Sequence, residues 1–379
     1  MGAPARLVGL DVARCLALLG MVATHILASR TPEGQESWSH LVAGGRASAL
    51  FAVLAGVTLA FGSGRRTPLP APARGRAAAG LAIRAALIAL LGLGLGELDS
   101  GIAVILTYYG ILFLVGLLFV GLRARALAVL AAAWVVVAPV LSHWLRPDLP
   151  PRGYDSPSFD HLHHPWQLAS ELLVTGYYPV LTWLSYLLAG MALGRSDLSR
   201  RTVQGSLLGG GLLLAGAAAL ASAALTRGRF STRVLDEVRT ASYGTTPTGD
   251  RWEWLLIDAP HSGTPFDLAQ TLGSALAVLG ASLLVVGLLP RLVTRVVAVV
   301  FGAGTMTLTL YSLHVWMRSQ GIRLPEVPDA MLVHVVVLGG IGALFVALGG
   351  RGPLEVLVGL PGRLLQRGNR PTRPAVPPS

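Results

Sequence analysis

Apolar runs of helix length, separated by short stretches rich in arginine or in acid, organise the whole chain. A run of about 20 apolar residues can cross the hydrocarbon of a bilayer as a helix. Ten runs meet that description, near residues 7–27, 42–62, 79–96, 102–121, 125–144, 172–194, 204–225, 268–288, 294–316 and 331–350. They predict an all-α, polytopic transmembrane helix bundle of about ten spans, one domain over residues 1–365, with a polar, disordered tail at 366–379. Two connections are long, about 145–171 and 226–267, and loops of that length usually carry function or are disordered. Gly64–Ala78, rich in Pro, Ala and Arg, reads as a mobile linker. No repeat relates the two halves, which argues against an inverted-repeat transporter.

The polar connections alternate in charge. One set holds Arg6; Arg65, Arg66, Arg74 and Arg76; Arg123 and Arg125; Arg195, Arg200 and Arg201; Arg291 and Arg295; and the tail from Arg351 to Arg373. The other holds Glu33 and Glu36; Glu97 and Asp99; Asp148, Asp155 and Asp160; Asp236, Glu237, Asp250, Glu253, Asp258 and Asp267; and Glu326 and Asp329. Asp11, Asp197 and Glu355 break the pattern. Short arginine-rich loops mark the cytoplasmic side, so both termini are expected in the cytoplasm and the protein in the plasma (inner) membrane. Asp11 and Arg14 interrupt the first run, which therefore reads as an uncleaved helix rather than a signal peptide.

Composition narrows the chemistry. The chain is 53% hydrophobic and only 13% charged, against about 25% charged in soluble domains; mean hydropathy is +0.62. All 30 basic residues are arginine, which excludes Schiff-base lysines and a P-loop lysine. The single cysteine, Cys15, permits neither an intrachain disulfide nor a cysteine metal site. The net charge of +11 is distributed along the chain as topology and lipid contacts require, so no nucleic acid is expected.

Ionisable residues inside a span are costly, and by default they mark function. At about 100° per residue, Asp11, Arg14 and His25 share one stripe of the first helix. Asp11 and Arg14 can neutralise each other at i,i+3, and His25 lies three turns further on, toward the outer face. The plainer alternative is an ion pair that locks one helix in place and a histidine that anchors at the interface. Acyl transfer to a hydroxyl or amine needs a base near neutral pH; histidine suits that role and can also carry an acyl group covalently. Tyr311 and His314, an i,i+3 pair near the outer end of a late span, are expected to support it. Tyr108, Tyr109, Arg46 and His261 lie where substrate contacts are expected, although tyrosines at that depth also form interfacial belts and Arg46 can snorkel. Asp160, His161, His163 and His164 fit no standard metal spacing, so no metal is expected. Arg84, Arg123 and Arg125 stand where coenzyme A phosphates would be met, or simply where anionic lipid is. Glu355 can pair with Arg351 at i,i+4.

Ten residues separate Arg14 from His25, a spacing that resembles the Arg/Lys-X10-His signature of the membrane acyltransferase 3 family. The opening RLVGLDVARCLALLGMVATH is more similar to that of the heparan-α-glucosaminide N-acetyltransferase-like family and its bacterial YeiB-type relatives. GRASALFAVLAGVTLAF (45–61), ILTYYGILFLVGLL (105–118), LTWLSYLLAGMALGR (181–195), PHSGTPFDLAQTLGSALAVLG (260–280), TMTLTLYSLHV (305–315) and RGPLEVL (351–357) resemble the same group, in order along the chain. The resemblance implies a transmembrane acyltransferase that takes an acyl group from cytoplasmic coenzyme A and delivers it outside. Lysosomal members acetylate a glucosamine amine. They carry a histidine in the loop after the first helix, where this chain has Gln35; His40 lies beyond Trp38 and is the loop alternative to His25.

The expected function is therefore acyl transfer, acetyl in the first instance, from acyl-CoA (acetyl-CoA) to an extracytoplasmic glycan, lipid or amine. The expected catalytic residues are Asp11, Arg14, His25, His40, Tyr311 and His314. Arg46, Tyr108, Tyr109 and His261 are expected at the substrate and Arg84 at the donor. Membrane lipids and the acceptor are the expected partners, with a homodimer left open. The rivals are a secondary transporter of an anionic or sugar-like solute and a non-catalytic integral protein. Transport predicts helices broken in mid-membrane; acyl transfer predicts continuous helices around a tunnel open to both faces.

Overall fold

Within an apolar medium a helix satisfies its backbone groups inside one segment, and each of the ten runs folds as one helix or two. The computed structural model describes residues 7–153, 156–241, 246, 251–322 and 328–367. Arg6, Tyr154, Asp155, Asp250, Glu326 and the expected tail beyond Arg367 lie outside the described residues.

Helix α1 (Val8–Ile26) is followed by the short α2 (Trp38–Ala43), α3 (Arg46–Gly62), α4 (Ala71–Gly96) and α5 (Leu106–Gly116). Next come α6 (Ala124–Leu145), α7 (Pro165–Ser170), α8 (Val180–Gly194), α9 (Arg201–Thr226) and α10 (Thr232–Ala241). The chain continues as α11 (Pro265–Leu288), α12 (Arg291–Val300), α13 (Thr307–Met317), α14 (Pro328–Ala347) and α15 (Pro353–Arg367). The described residues contain no β-strand beyond an isolated bridge between Arg30 and Glu36.

Seven helical stretches among the described residues are long and apolar enough to cross a membrane; an eighth qualifies if Pro165–Thr175 and Val180–Gly194, bent by 50°, form one span. The other two expected spans are shorter or interrupted. In the run 102–121 the helix starts only at Leu106, after a non-helical approach. The run 294–316 breaks between α12 and α13 at Gly302–Thr305. The break lets the backbone press on α1, because a Cβ on Gly304 would stand 1.8 Å from the Asp11 carbonyl oxygen.

Small residues set the closest helix contacts, as packing in lipid requires. On α9 a Cβ at Gly211 would meet Ala277 N at 2.5 Å, and on α11 one at Gly273 would meet Ala215 N at 2.5 Å. Each helix thus presents a Gly-x-x-x-Ala pair to the other.

Side-chain contacts join loops of the same set to one another. In the first set Arg195, 3% exposed, donates to the carbonyls of Ala60, Ser63, Arg65 and Val120, and Arg66 pairs with Asp197. In the second set Arg30 pairs with Asp236 at 2.8 Å, Arg239 with Asp258 at 3.1 Å, and Glu97 accepts from Phe159 N at 2.7 Å. The three acids that broke the alternation each have a local partner: Asp11 has Arg14, Asp197 has Arg66, and Glu355 binds the start of α13.

Candidate functional site

Helix α1 carries functional candidates into two separate cavities. The first, about 230 Å³, is lined by Arg14, Arg84, Thr58, Tyr109, Tyr311 and Glu355, with apolar walls from Phe51, Leu54, Ile88 and Phe113. The second, about 350 Å³, is lined by His25, His40 and His261 with Thr24, Ser29, Ser48, Tyr177 and Tyr178. Arg14 and His25 are eleven residues apart on α1, about 16 Å along the axis by helical rise. The non-helical approach to α5 runs between the cavities: Ile102 and Ala103 face the histidine cavity, Ile105 and Leu106 the arginine cavity. Side chains hold this partition and its flank: Val104 N donates to Ser156 Oγ at 2.8 Å, Ser156 Oγ to Ile102 O at 2.6 Å, and the Tyr178 hydroxyl to Ala103 O at 3.2 Å. Ile105 N donates to the Tyr311 hydroxyl at 3.3 Å, and the Tyr109 hydroxyl donates to Ser48 O at 3.0 Å. The expected single tunnel is thus divided.

In the arginine cavity, Arg14 Nη1 donates to Asp11 Oδ1 at 3.1 Å and Nη2 to Thr58 Oγ1 at 3.0 Å. The Arg14 side chain keeps 23% of its exposure while that of Asp11 keeps 9%, so the acid is the buried anchor and the guanidinium faces the space. Glu355 does not turn to Arg351. Its Oε1 accepts from Leu308 N at 2.7 Å and Thr309 N at 3.2 Å, and its Oε2 from Thr309 Oγ1 at 2.6 Å. Those amides open α13 after the helix interruption at Gly302–Thr305, where the helix dipole favours a carboxylate. Two guanidiniums on an apolar pocket of this size suit a slender ligand that carries polar or anionic groups.

In the histidine cavity, His25 occupies the last turn of α1. Its Nδ1 lies 3.1 Å from His314 Nε2, and the two rings stack with centroids 5.3 Å apart and planes 6° apart. With Nδ1 engaged, Nε2 is the nitrogen left for a ligand. His40 Nε2 lies 3.3 Å from Arg239 O. His261 has a left-handed backbone, φ 59°, and its ring stacks on Trp183 and meets Tyr178 edge-on. Burial, then the neighbouring His40, lowers the His261 imidazole to about 4.

The structure spreads the other expected site residues over different places. Tyr311 and His314 do not share a cavity: Tyr311 lines the arginine side, whereas His314 is fully buried behind His25. The reason is the i,i+3 offset, which rises past the partition at Ile105. Arg46 does not line the histidine cavity. It donates to Leu41 O at 2.7 Å and Gly44 O at 3.4 Å and closes the turn between α2 and α3. Tyr109 lies in the arginine cavity. Tyr108 lines neither space; its hydroxyl accepts from Tyr177 N at 3.3 Å. Arg84, His40 and His261 do face a cavity. His161 Nδ1 accepts from Ser158 N at 3.1 Å, and no group of three His, Cys, Asp or Glu among the described residues could hold a metal.

One residue escaped the sequence reading. His334 of α14 is fully buried, with its ring 4.9 Å from that of His314. It stands in the run MLVHVVV, so the rule for intramembrane ionisable residues that singled out His25 applies to it equally.

A family model described as "Heparan-alpha-glucosaminide N-acetyltransferase, catalytic" matches residues 6–223. The matched stretch contains Asp11, Arg14, His25, His40 and Arg84, while His261, Tyr311, His314 and His334 lie beyond it. No curated protein matches the chain.

Proposed function

Because the chain belongs to the heparan-α-glucosaminide N-acetyltransferase family, being matched by its catalytic model over more than half its length, we propose that it is a membrane acyltransferase. It takes an acetyl group from acetyl-CoA on the arginine-rich, cytoplasmic side and passes it to a glycan, lipid or amine on the outer side of the plasma membrane. The observation that carries this reading is the placement of two chemically distinct cavities on one helix, arginines in the first and histidines in the second.

Arg14 and Arg84 would meet the donor's polar and phosphate groups, with Asp11 holding Arg14. The cavity admits only the slender arm of the donor, so the bulky nucleotide end would stay at the mouth. The thioester must then pass the Ile102–Ile105 partition, a non-helical segment that would have to release its hydrogen bonds to let it through. His25, through Nε2, would take the proton of the acceptor or become acylated itself. His40 and His261 would line the acceptor site.

The test is incubation of the purified protein with radiolabelled acetyl-CoA, followed by separation of protein, co-extracted lipid and glycan. Label should reach an acceptor in wild type and be lost in Arg14→Ala. No label anywhere would overturn the reading. The transporter reading retains two observations in its favour: the helix break at Gly302–Thr305 and the 50° bend before α8 are features transporters use. It would be supported by solute uptake into proteoliposomes in the absence of any acyl donor.

A further inference from the structure

The histidine that faces the outer cavity does not stand alone. Behind His25 stands His314 on α13, and behind that stands His334 on α14, both fully buried. His334 Nδ1 lies 2.7 Å from Ala330 O. A carbonyl can only accept, so His334 must carry its proton on Nδ1, and its Nε2, when neutral, is a lone pair. That Nε2 is buried with no hydrogen-bond partner, and so is His314 Nδ1. The two rings are 4.9 Å apart and nearly perpendicular, at 76°. Two adjacent buried nitrogens without partners are costly. The structure leaves them unjoined; a small turn of either ring would join them, and because His334 Nε2 can only accept, His314 Nδ1–H would be the donor.

The rest follows from valence. If His314 holds its proton on Nδ1, its Nε2 is an acceptor, and the 3.1 Å contact requires His25 Nδ1 to be the donor. His25 Nε2 is then a free lone pair, the form a base must have. We propose that Ala330 O, His334, His314 and His25 form one imidazole relay that fixes the tautomer of His25 and carries its proton away from the acceptor. This rests on the acyltransferase reading for its chemistry, although the tautomer itself does not.

In the reaction the acceptor X–H gives its proton to His25 Nε2 as X bonds to the thioester carbonyl carbon. His25 Nδ1–H moves to His314 Nε2, and His314 Nδ1–H moves to His334 Nε2. The charge thus rests on His334, with Nδ1–H still on Ala330 O. When the C–S bond breaks, the proton returns by the same route and leaves His25 Nε2 for the departing thiolate, so no external acid or base is needed. His314 and His334 are positioning residues; neither lines the acceptor cavity.

The experiment is nitrogen NMR of the full-length protein, 15N-labelled at histidine, in lipid nanodiscs, with His25 assigned by its loss in His25→Gln. The expected result is a His25 ring protonated on Nδ1 in wild type. That signature should be lost in His334→Leu, which removes the acceptor. It should be kept in His334→Gln, whose side-chain oxygen can accept from His314 without relaying a proton. Both variants should lower kcat by about tenfold to a hundredfold with KM for acetyl-CoA unchanged, as loss of partners behind other functional imidazoles does. A His25 ring protonated on Nε2 in wild type, or a His25 signal unaltered by His334→Leu, overturns the relay. If His334→Leu fails to fold, the wild-type tautomer and the Gln variant still decide. Absence of acetyl transfer in wild type would sink the enzymatic reading while the tautomer measurement stood on its own.

Discussion

At the scale of single residues, the structure places the arginines Arg14 and Arg84 in one cavity and the histidines His25, His40 and His261 in another. Arg14 and His25 belong to one helical stripe, yet they open into different cavities, so their variants should fail differently. His25→Ala should reduce acetyl transfer by about 10² to 10⁴, the usual worth of a placed acid–base group, with the protein still folded in membranes. His40→Ala should cost much less. Measuring transfer by both variants checks this; full activity in His25→Ala with loss in His40→Ala would move the chemistry to the outer loop. The Asp11–Arg14 pair makes a stability prediction. Removing one partner of a fully buried pair costs about 3–5 kcal/mol. Here Arg14 keeps Thr58 and partial exposure, so Asp11→Ala should cost less, about 1–3 kcal/mol. Thermal unfolding in detergent should show the double variant Asp11→Ala/Arg14→Ala losing less than the sum of the singles. Additive losses would mean the two side chains are not coupled.

At the scale of elements, the informative feature is the interruption of a span. Helices α12 and α13 together have the length and apolarity of one transmembrane run, and apolarity alone cannot reveal that they part at Gly302–Thr305. The glycines hint at it, but glycine is common in this chain, 46 in all, and most serve other contacts. The break frees the amides of Leu308 and Thr309, which Glu355 satisfies from α15, and it brings Gly304 against α1. Gly304→Ala should therefore displace α13 from α1 or fail to fold, because the added methyl would sit 1.8 Å from Asp11 O. The expected cost is about 1–3 kcal/mol or more, as for other overpacked sites. Gly339→Ala, with open space around it, is the matched control. Equal stability of the two variants would show that the close approach does not constrain the bundle.

At the scale of the whole molecule, the alternation of arginine and acid makes a prediction about the membrane. Reporter fusions in the connection 63–70, before α4, and in the connection 226–267 should lie on opposite sides, the first cytoplasmic. Both on one side would remove the assigned sidedness of the two cavities. In the folded chain Arg195 and Arg66 contact loops of the first set, and Arg30 and Arg239 loops of the second.

The helical class, the family and the candidates on α1 could be read from the sequence. Periodicity, hydropathy and the cost of a charge in lipid act locally, and so leave their mark on consecutive residues. His25 as an intramembrane histidine, and Asp11–Arg14 as a pair, are of this kind. What needed tertiary structure was everything that joins distant segments. No local signal states that His314 and His334 stand behind His25, that Tyr311 falls on the far side of a partition from His314, or that Arg46 spends its guanidinium on Leu41 O. Those outcomes depend on the register and rotation of helices against one another. Close packing of small residues such as Gly211, Gly273 and Gly304 sets that register, and it is a property of the whole bundle rather than of any one helix.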